Sequence, residues 1–180
     1  MRLLWLFFYL FLISPSLAQK QWVVNTELSK ISFTIKNFGM NVKGGLADLN
    51  AIIRFDPNQL KSSNFRASLE VHTINTNNKK RDKHLRSEDY FDISQYARIT
   101  FETIEILRNS KGFIAKGNLQ IKNVTKQIDL PFTFSEHQGK GHFKSQFNLN
   151  RLDYGVGKSS WVLGDGVRVI IEVVAILTED

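Results

Sequence analysis

The chain has 180 residues, of which 42% are hydrophobic and 23% charged, and a formal net charge of +7. These proportions fit a folded domain and exclude a mainly disordered chain. With no cysteine, disulfide staples, cysteine-ligated zinc, iron–sulfur clusters and a thiol nucleophile are all excluded, so packing alone must hold the fold.

The first segment reads as an address. Met1-Arg2 is basic, residues 3–13 are apolar throughout, Ser14-Pro15 breaks the run, and Ser16-Leu17-Ala18 offers small residues for cleavage. This is the layout of a secretory signal peptide over residues 1–18. The run is shorter than the ~20 residues a membrane-spanning helix needs. The expectation is an exported protein, periplasmic or secreted, with residues 19–180 as one domain. Residues 167–177, the most apolar later stretch, are interrupted by Arg168 and Glu172.

From there the dominant period is two, the mark of strands with one wet and one dry face. Ile31, Phe33 and Ile35 alternate with polar residues, as do Leu49, Ala51, Ile53 and Phe55, and then Phe65, Ala67, Leu69 and Val71. Ile99 and Phe101 follow, then Phe113, Ala115, Gly117, Leu119 and Ile121. Ile128, Leu130, Phe132 and Phe134 form the next set, then Phe143, Phe147 and Leu149, and last the Val/Ile-rich residues 167–177. Asn109-Ser110-Lys111-Gly112, Gly139-Lys140-Gly141 and Gly164-Asp165-Gly166 read as hairpin turns, and residues 122–126 as a polar turn. Pro131 cannot donate to a ladder and marks an edge or a bulge.

Residues 76–96 lack this period and are rich in charge. Ser87 reads as the cap of a short helix with Glu88 and Asp89 in its first turn, and Leu85, Tyr90 and Phe91 facing inward. The expected class is all-β: a single antiparallel sandwich or closed barrel, with one or two short helices inserted between strands. An eight-stranded barrel has an interior just wide enough for side chains or one small ligand. Periodicity alone does not choose between these.

Several blocks occur in a characteristic order. They include Trp22-Val23-Val24, Ile31-Ser32-Phe33-Thr34-Ile35, Val42-Lys43-Gly44, Ile53-Arg54-Phe55-Asp56-Pro57 and Ile74-Asn75-Thr76-Asn77. Arg81-Asp82-Lys83-His84-Leu85-Arg86-Ser87, Asp89-Tyr90-Phe91-Asp92 and Ile99-Thr100-Phe101 follow, then Gly117-Asn118-Leu119-Gln120-Ile121, Val124-Thr125-Lys126 and residues 151–157. In these blocks the chain resembles the YceI family of exported bacterial proteins, from residue 22 to residue 177. Ala97-Arg98, Tyr90 and Asn123 depart from the family's usual Pro, Phe and Gly. The resemblance implies a lipocalin-like, eight-stranded antiparallel barrel with a long apolar interior. It also implies a cargo such as a polyisoprenoid, an isoprenoid quinone or a fatty amide.

On this reading the candidate lining is Phe33, Ile35, Leu49, Ile53, Phe55, Leu69, Val71, Phe101, Phe132, Phe134, Phe147 and Leu149. Arg81, Asp82, His84 and Arg86 form the best polar cluster. It either meets a ligand head group at the barrel mouth or holds the local structure, with Asp82 capping or bridging a helix and the arginines pairing with Asp82 or with Asp89 and Asp92. No nucleophile motif accompanies Asp82 and His84, so no enzyme is expected. His72, His84, His137 and His142 lack metal-ligand spacing, so no metal is expected. Gly155-Val156-Gly157-Lys158-Ser159 lacks the full phosphate-loop spacing. The expected function is a non-catalytic carrier or buffer of a long-chain apolar lipid, with no cofactor. The alternative is an exported interaction protein whose loops bind a partner. No nucleic-acid motif is visible. Lys79, Lys80, Arg81 and Lys83 suit an anionic membrane surface or a solvated loop. Pairing of two barrels as a homodimer is left open.

Overall fold

The computed structural model describes residues 20–178; the signal peptide expected at residues 1–18 lies outside the described residues. The strands are β1 (Gln21–Asn37), β2 (Met40–Leu46), β3 (Asn50–Arg54), β4 (Asn64–Glu70), β5 (Arg98–Asn109), β6 (Gly112–Ile121), β7 (Val124–His137), β8 (Lys140–Asn150) and β9 (Leu163–Thr178). One helix, α1 (Lys79–Arg86), interrupts the series between β4 and β5.

All pairings are antiparallel, and β9 returns to pair along β1, which closes the sheet. β1 faces two strands in succession: Leu46 of β2 lies opposite Ile31, and Ile52 of β3 opposite Val23. β2 and β3 therefore act as one broken strand, and nine strands make an eight-walled barrel. Closure removes the open edges that an antiparallel sheet would otherwise present. Where β2 replaces β3, β4 no longer reaches the wall. The chain between β4 and β5 fills that gap, and Gly45 and Asn75 exchange backbone hydrogen bonds of 2.9 and 3.0 Å.

The interior is divided along its length. At one end a plug of rings surrounds Phe55, which is 0% exposed. Phe65, Phe113, Phe132, Phe134 and Phe143 lie around it with ring centroids 5.0–5.9 Å away, mostly edge to face. Aromatic quadrupoles favour this arrangement over flat stacking. Trp22 joins the plug, and its Nε1 donates to the carbonyl of Phe55 at 2.8 Å, satisfying a buried indole. At the opposite end lie the β1–β2 turn at Phe38-Gly39, the α1 region, and the connection from β8 to β9. There Leu119, Ile121, Tyr154 and Val156 form a second, smaller cluster.

Four local expectations change. The polar turn expected at residues 122–126 is confined to Lys122-Asn123, and β7 begins at Val124. Gly164-Asp165-Gly166 is not a hairpin turn but the start of β9, with Gly166 opposite Asn150. The β8–β9 connection is instead residues 151–162, opened by a 3-10 turn at Arg151–Tyr154. The buried guanidinium of Arg151 holds it, donating to the carbonyls of Val156, Lys158 and Gly164 and to the carboxylate of Asp165. Five donors on one rigid plane suit this task better than glycine flexibility. The expected turn at Gly139-Lys140-Gly141 sits one residue earlier, at Gln138-Gly139. Ser87 ends α1 rather than starting it. Asn78 caps the N-terminus by accepting from the backbone N–H of Arg81 at 3.0 Å, and the Ser87 hydroxyl donates back to the His84 carbonyl. Pro131 lies on β7 immediately before its ladder with β8 begins at Phe132, where the missing N–H costs least.

The two halves of the interior should differ in mutational cost. Phe55→Ala should lose about 3–5 kcal/mol of unfolding free energy, the range for truncating a fully packed ring. Phe33→Ala, away from the plug, should lose less than half of that. Urea unfolding of the two variants beside the parent measures both.

Candidate functional site

Beyond the plug the barrel is hollow. A partly enclosed cavity of about 280 Å³ runs from Phe132 and Phe143 toward the helix end, where Asn37, Val42, Leu163, Arg81, Leu85 and Tyr90 border it. Most of the lining is aliphatic or aromatic. Along β1, β4, β8 and β9 it is built by the inward half of the period-two pattern, so each wall contributes alternate residues.

Nine of the twelve predicted lining residues face this cavity: Phe33, Ile35, Leu49, Ile53, Leu69, Phe101, Phe132, Phe147 and Leu149. Most of these inward residues are only half-buried, because they face an empty lumen rather than packed atoms. Three residues are misplaced by the prediction. Phe55 and Phe134 belong to the plug, below the cavity floor. Val71 lies in a 3-10 turn at Val71–Thr73 and is buried there, because the strand it appears to continue ends at Glu70. Leu85, Tyr90 and Phe91, expected to face inward, do line the cavity.

Two of the rings lie over glycines. A Cβ on Gly44 would sit 2.4 Å from the Phe33 ring, and a Cβ on Gly117 would sit 2.7 Å from the Phe101 ring and 2.4 Å from the Glu102 carbonyl oxygen. The bare backbone at these positions lets both rings lie back against the wall, which keeps the lumen clear.

The predicted polar cluster is separated by the fold. The buried Asp82 carboxylate accepts from both the backbone N–H (2.9 Å) and the hydroxyl of Thr76, tying α1 to the segment that fills the wall. Arg81 donates from Nε to the Thr76 hydroxyl (2.7 Å) and from a terminal nitrogen to the Thr76 carbonyl (2.8 Å), with its side chain at the cavity border. Arg86 donates to the Ile74 carbonyl at 2.8 Å. The expected pairing of these arginines with Asp89 and Asp92 does not form; carbonyls and a hydroxyl take their place. His84 is exposed, 3.8 Å from Asp89 and edge-on to Tyr90, so it does not share a partner with Asp82. The cluster is thus chiefly an anchor for α1.

Sequence reasoning passed over Ser145. It sits between Phe143 and Phe147 on the inward face of β8, 7% exposed, and its hydroxyl lies against the cavity without a hydrogen-bond partner among the described residues. A lone hydroxyl amid phenylalanines carries no spacing signal; only its place in the alternation marks it. At the helix end, burial and then the neighbouring Asp153 carboxylate push the Tyr154 phenol above its ordinary value near 10.

Closed antiparallel walls, an aromatic plug and an apolar lumen define a hollow, lipocalin-like β-barrel. The YceI-like domain matches residues 22–175, and the chain belongs to that family. A UPF0312 protein of Yersinia enterocolitica is 26% identical over 153 residues, covering 79% of this chain and 78% of its own. Among solved structures, Burkholderia cenocepacia BcnA superposes with a TM-score of 0.79 at 22% identity, over 84% of this chain and 99% of its own. A polyisoprenoid binding domain from Saccharophagus degradans, implicated in plant cell wall breakdown, superposes at 0.69 with 11% identity, over 89% of this chain and 100% of its own.

Two outcomes follow from the site. Ser145→Ala should not lower thermal stability, because it removes a buried hydroxyl with no partner to lose; differential scanning calorimetry reads this. Tyr154 binds its proton more tightly folded than unfolded. Its contribution is therefore complete below pH 10 and is lost as pH rises through the raised folded value. Urea unfolding between pH 9 and pH 12 (a range set about the ordinary tyrosine value near 10) should show this loss in the parent. It should be smaller in Tyr154→Phe.

Proposed function

We propose that this chain is a non-catalytic lipid carrier or buffer, which holds one long apolar molecule of the polyisoprenoid class in the barrel lumen. The observation that carries the reading is the hollow, aliphatic and aromatic lumen above a solid plug. A chain with little polarity is insoluble, and a carrier must remove most of its surface from water. At about 25 cal/mol per Å², several hundred Å² of tail would supply usable affinity after the costs of ordering. The polyisoprenoid binding domain of Saccharophagus degradans, which shares the fold, supports the choice of cargo class.

The lumen offers little for chemistry. Asp82 is committed to Thr76, and His84 lies outside on the surface. The reading needs no cofactor and no metal, and places the protein in the periplasm or outside the cell, in keeping with the leader-like residues 1–18.

Native mass spectrometry of protein purified without detergent from its own host tests the reading. A co-purifying mass of several hundred daltons (roughly the size of cargo that several hundred Å² of buried tail implies) should be released on unfolding. Phe101→Glu puts an unpartnered charge in the lumen, where burial is costly. This variant should fold and lose most of its bound cargo. A parent that stays empty when offered polyisoprenoids and isoprenoid quinones would overturn the proposal.

A further inference from the structure

The rim of the cavity carries side chains that the barrel does not use. Trp161 is 94% exposed, Phe38 66% and Met40 70%, and the first two rings pack edge to face with centroids 6.2 Å apart. Phe38 is at the tip of the β1–β2 turn and Trp161 in the β8–β9 connection. The Phe38 N–H donates to the Val162 carbonyl at 2.7 Å, so the two tips form one ridge. Asn37, next to Phe38, and Leu163, two residues after Trp161, border the cavity, so the ridge stands at its mouth.

Phe38 is costly where it sits. Its φ is 49° and that of Gly39 is 74°, a turn that asparagine-glycine would form with less strain. A bulky residue in the left-handed region gains nothing here from burial. A strained residue that folding does not require is a mark of function.

The charge around the ridge is mostly positive. Lys36 and Lys43 stand on the β1–β2 hairpin, Lys158 precedes Trp161 in the same loop, and Lys79, Lys80 and Lys83 lie along α1. All six are exposed, and none forms an ion pair among the described residues. Three acids at this end are committed: Asp82 to Thr76, Asp153 to Lys126 and Asp165 to Arg151. Asp89 is exposed, with the His84 imidazole 3.8 Å away. Glu88 remains exposed beyond α1. Arg81, grouped with these lysines on sequence grounds, turns inward and does not contribute.

We propose that the ridge of Phe38, Met40 and Trp161, with its ring of lysines, docks the cavity mouth onto a bilayer bearing anionic phospholipid head groups. Tryptophan and phenylalanine settle at the level of the head groups, with tryptophan the better suited. Each lysine near such a surface adds attraction that salt screens. A protein partner could cover the apolar ridge, but six unpaired lysines against two exposed acids match the sheet-like negative charge of a membrane. The docking goes beyond carriage of a lipid and needs no cargo to be observed.

The test is sedimentation of the purified protein with vesicles of phosphatidylcholine alone or of equimolar phosphatidylcholine and phosphatidylglycerol. Binding to the anionic vesicles should be at least about tenfold tighter, weaken as salt rises, and fall at least about fivefold for each reversal in Lys36→Glu and Lys158→Glu. Phe38→Asn with Trp161→Ser should reduce it at least about tenfold. The melting temperature should hold, because neither side chain is buried and asparagine suits the turn. Trp161 fluorescence, isolated by subtracting the signal of Trp161→Ser, should shift to the blue on vesicles. Equal affinity for the two vesicles, or unchanged binding by the double variant, overturns the proposal. So does a concentration-dependent dimer that the double variant abolishes while vesicle binding is absent. Cargo loading measured on the same preparations separates the two readings. Loading without vesicle binding defeats only the docking, and vesicle binding without loading defeats only the carriage.

Discussion

A barrel stapled by no disulfide is held by what fills it, yet a barrel filled throughout can hold nothing else. The plug around Phe55 meets both demands by confining solid packing to one end. Six rings and the Trp22 indole concentrate there, with the indole bonded to the Phe55 carbonyl. The remaining length is spared the need to be dense. Its walls are kept in register by long ladders, above all the unbroken one of β8 with β9 and that of β9 with β1, which shifts register between Asn25 and Lys30 and again between Ile35 and Asn37. The cavity is thus an outcome of how hydrophobic volume is distributed along the strands, with Gly44 and Gly117 leaving room for two rings to lie against the wall.

The helix end solves a different problem. The break between β2 and β3 leaves a length of wall that β4 does not reach. Residues 71–97 fill it with little regular structure, so polar side chains supply the missing order. Thr76 receives both Asp82 and Arg81, and Arg86 reaches the Ile74 carbonyl. Arg151 does the same for the connection across the mouth. Both devices satisfy backbone carbonyls that no strand partner reaches, which is why they are arginine-rich. Leu85, Tyr90 and Phe91 are carried to the cavity border on this anchored segment.

The walls were legible because one dry face and one wet face write period two into the chain, and seven inward positions on β1, β3, β4, β5 and β8 could be named as inward-facing from that alone; that they line a cavity rather than a solid core came from the family resemblance. Depth was not legible. Phe55 and Phe134 alternate as Phe132 does, but whether an inward ring meets other rings or empty lumen depends on its height in the barrel, which register sets. Val71 shows the same limit at a strand end, where the alternation runs on for one residue after the ladder stops. β2 escaped notice because Gly44 and Gly45 replace side chains that would have shown the pattern. Gly164 and Gly166 misled in the opposite way, as glycines inside a strand rather than between two. The polar residues were singled out together, but the fold separates them: Asp82 and Arg81 meet on Thr76, and the carbonyls that Arg81 and Arg86 reach leave no trace in a sequence.

The ends of the described chain lie together. Gln21 pairs with Thr178 across the β1–β9 seam, and the Thr178 hydroxyl donates to the Gln21 carbonyl. This places both ends beside the plug, a barrel's length from the cavity mouth. A linker joining them would bridge neighbours already in register, so the strands could be read in a rotated order without disturbing the lumen. Anything fused or fixed at either end would hold the barrel by its solid base and leave its hollow end facing away.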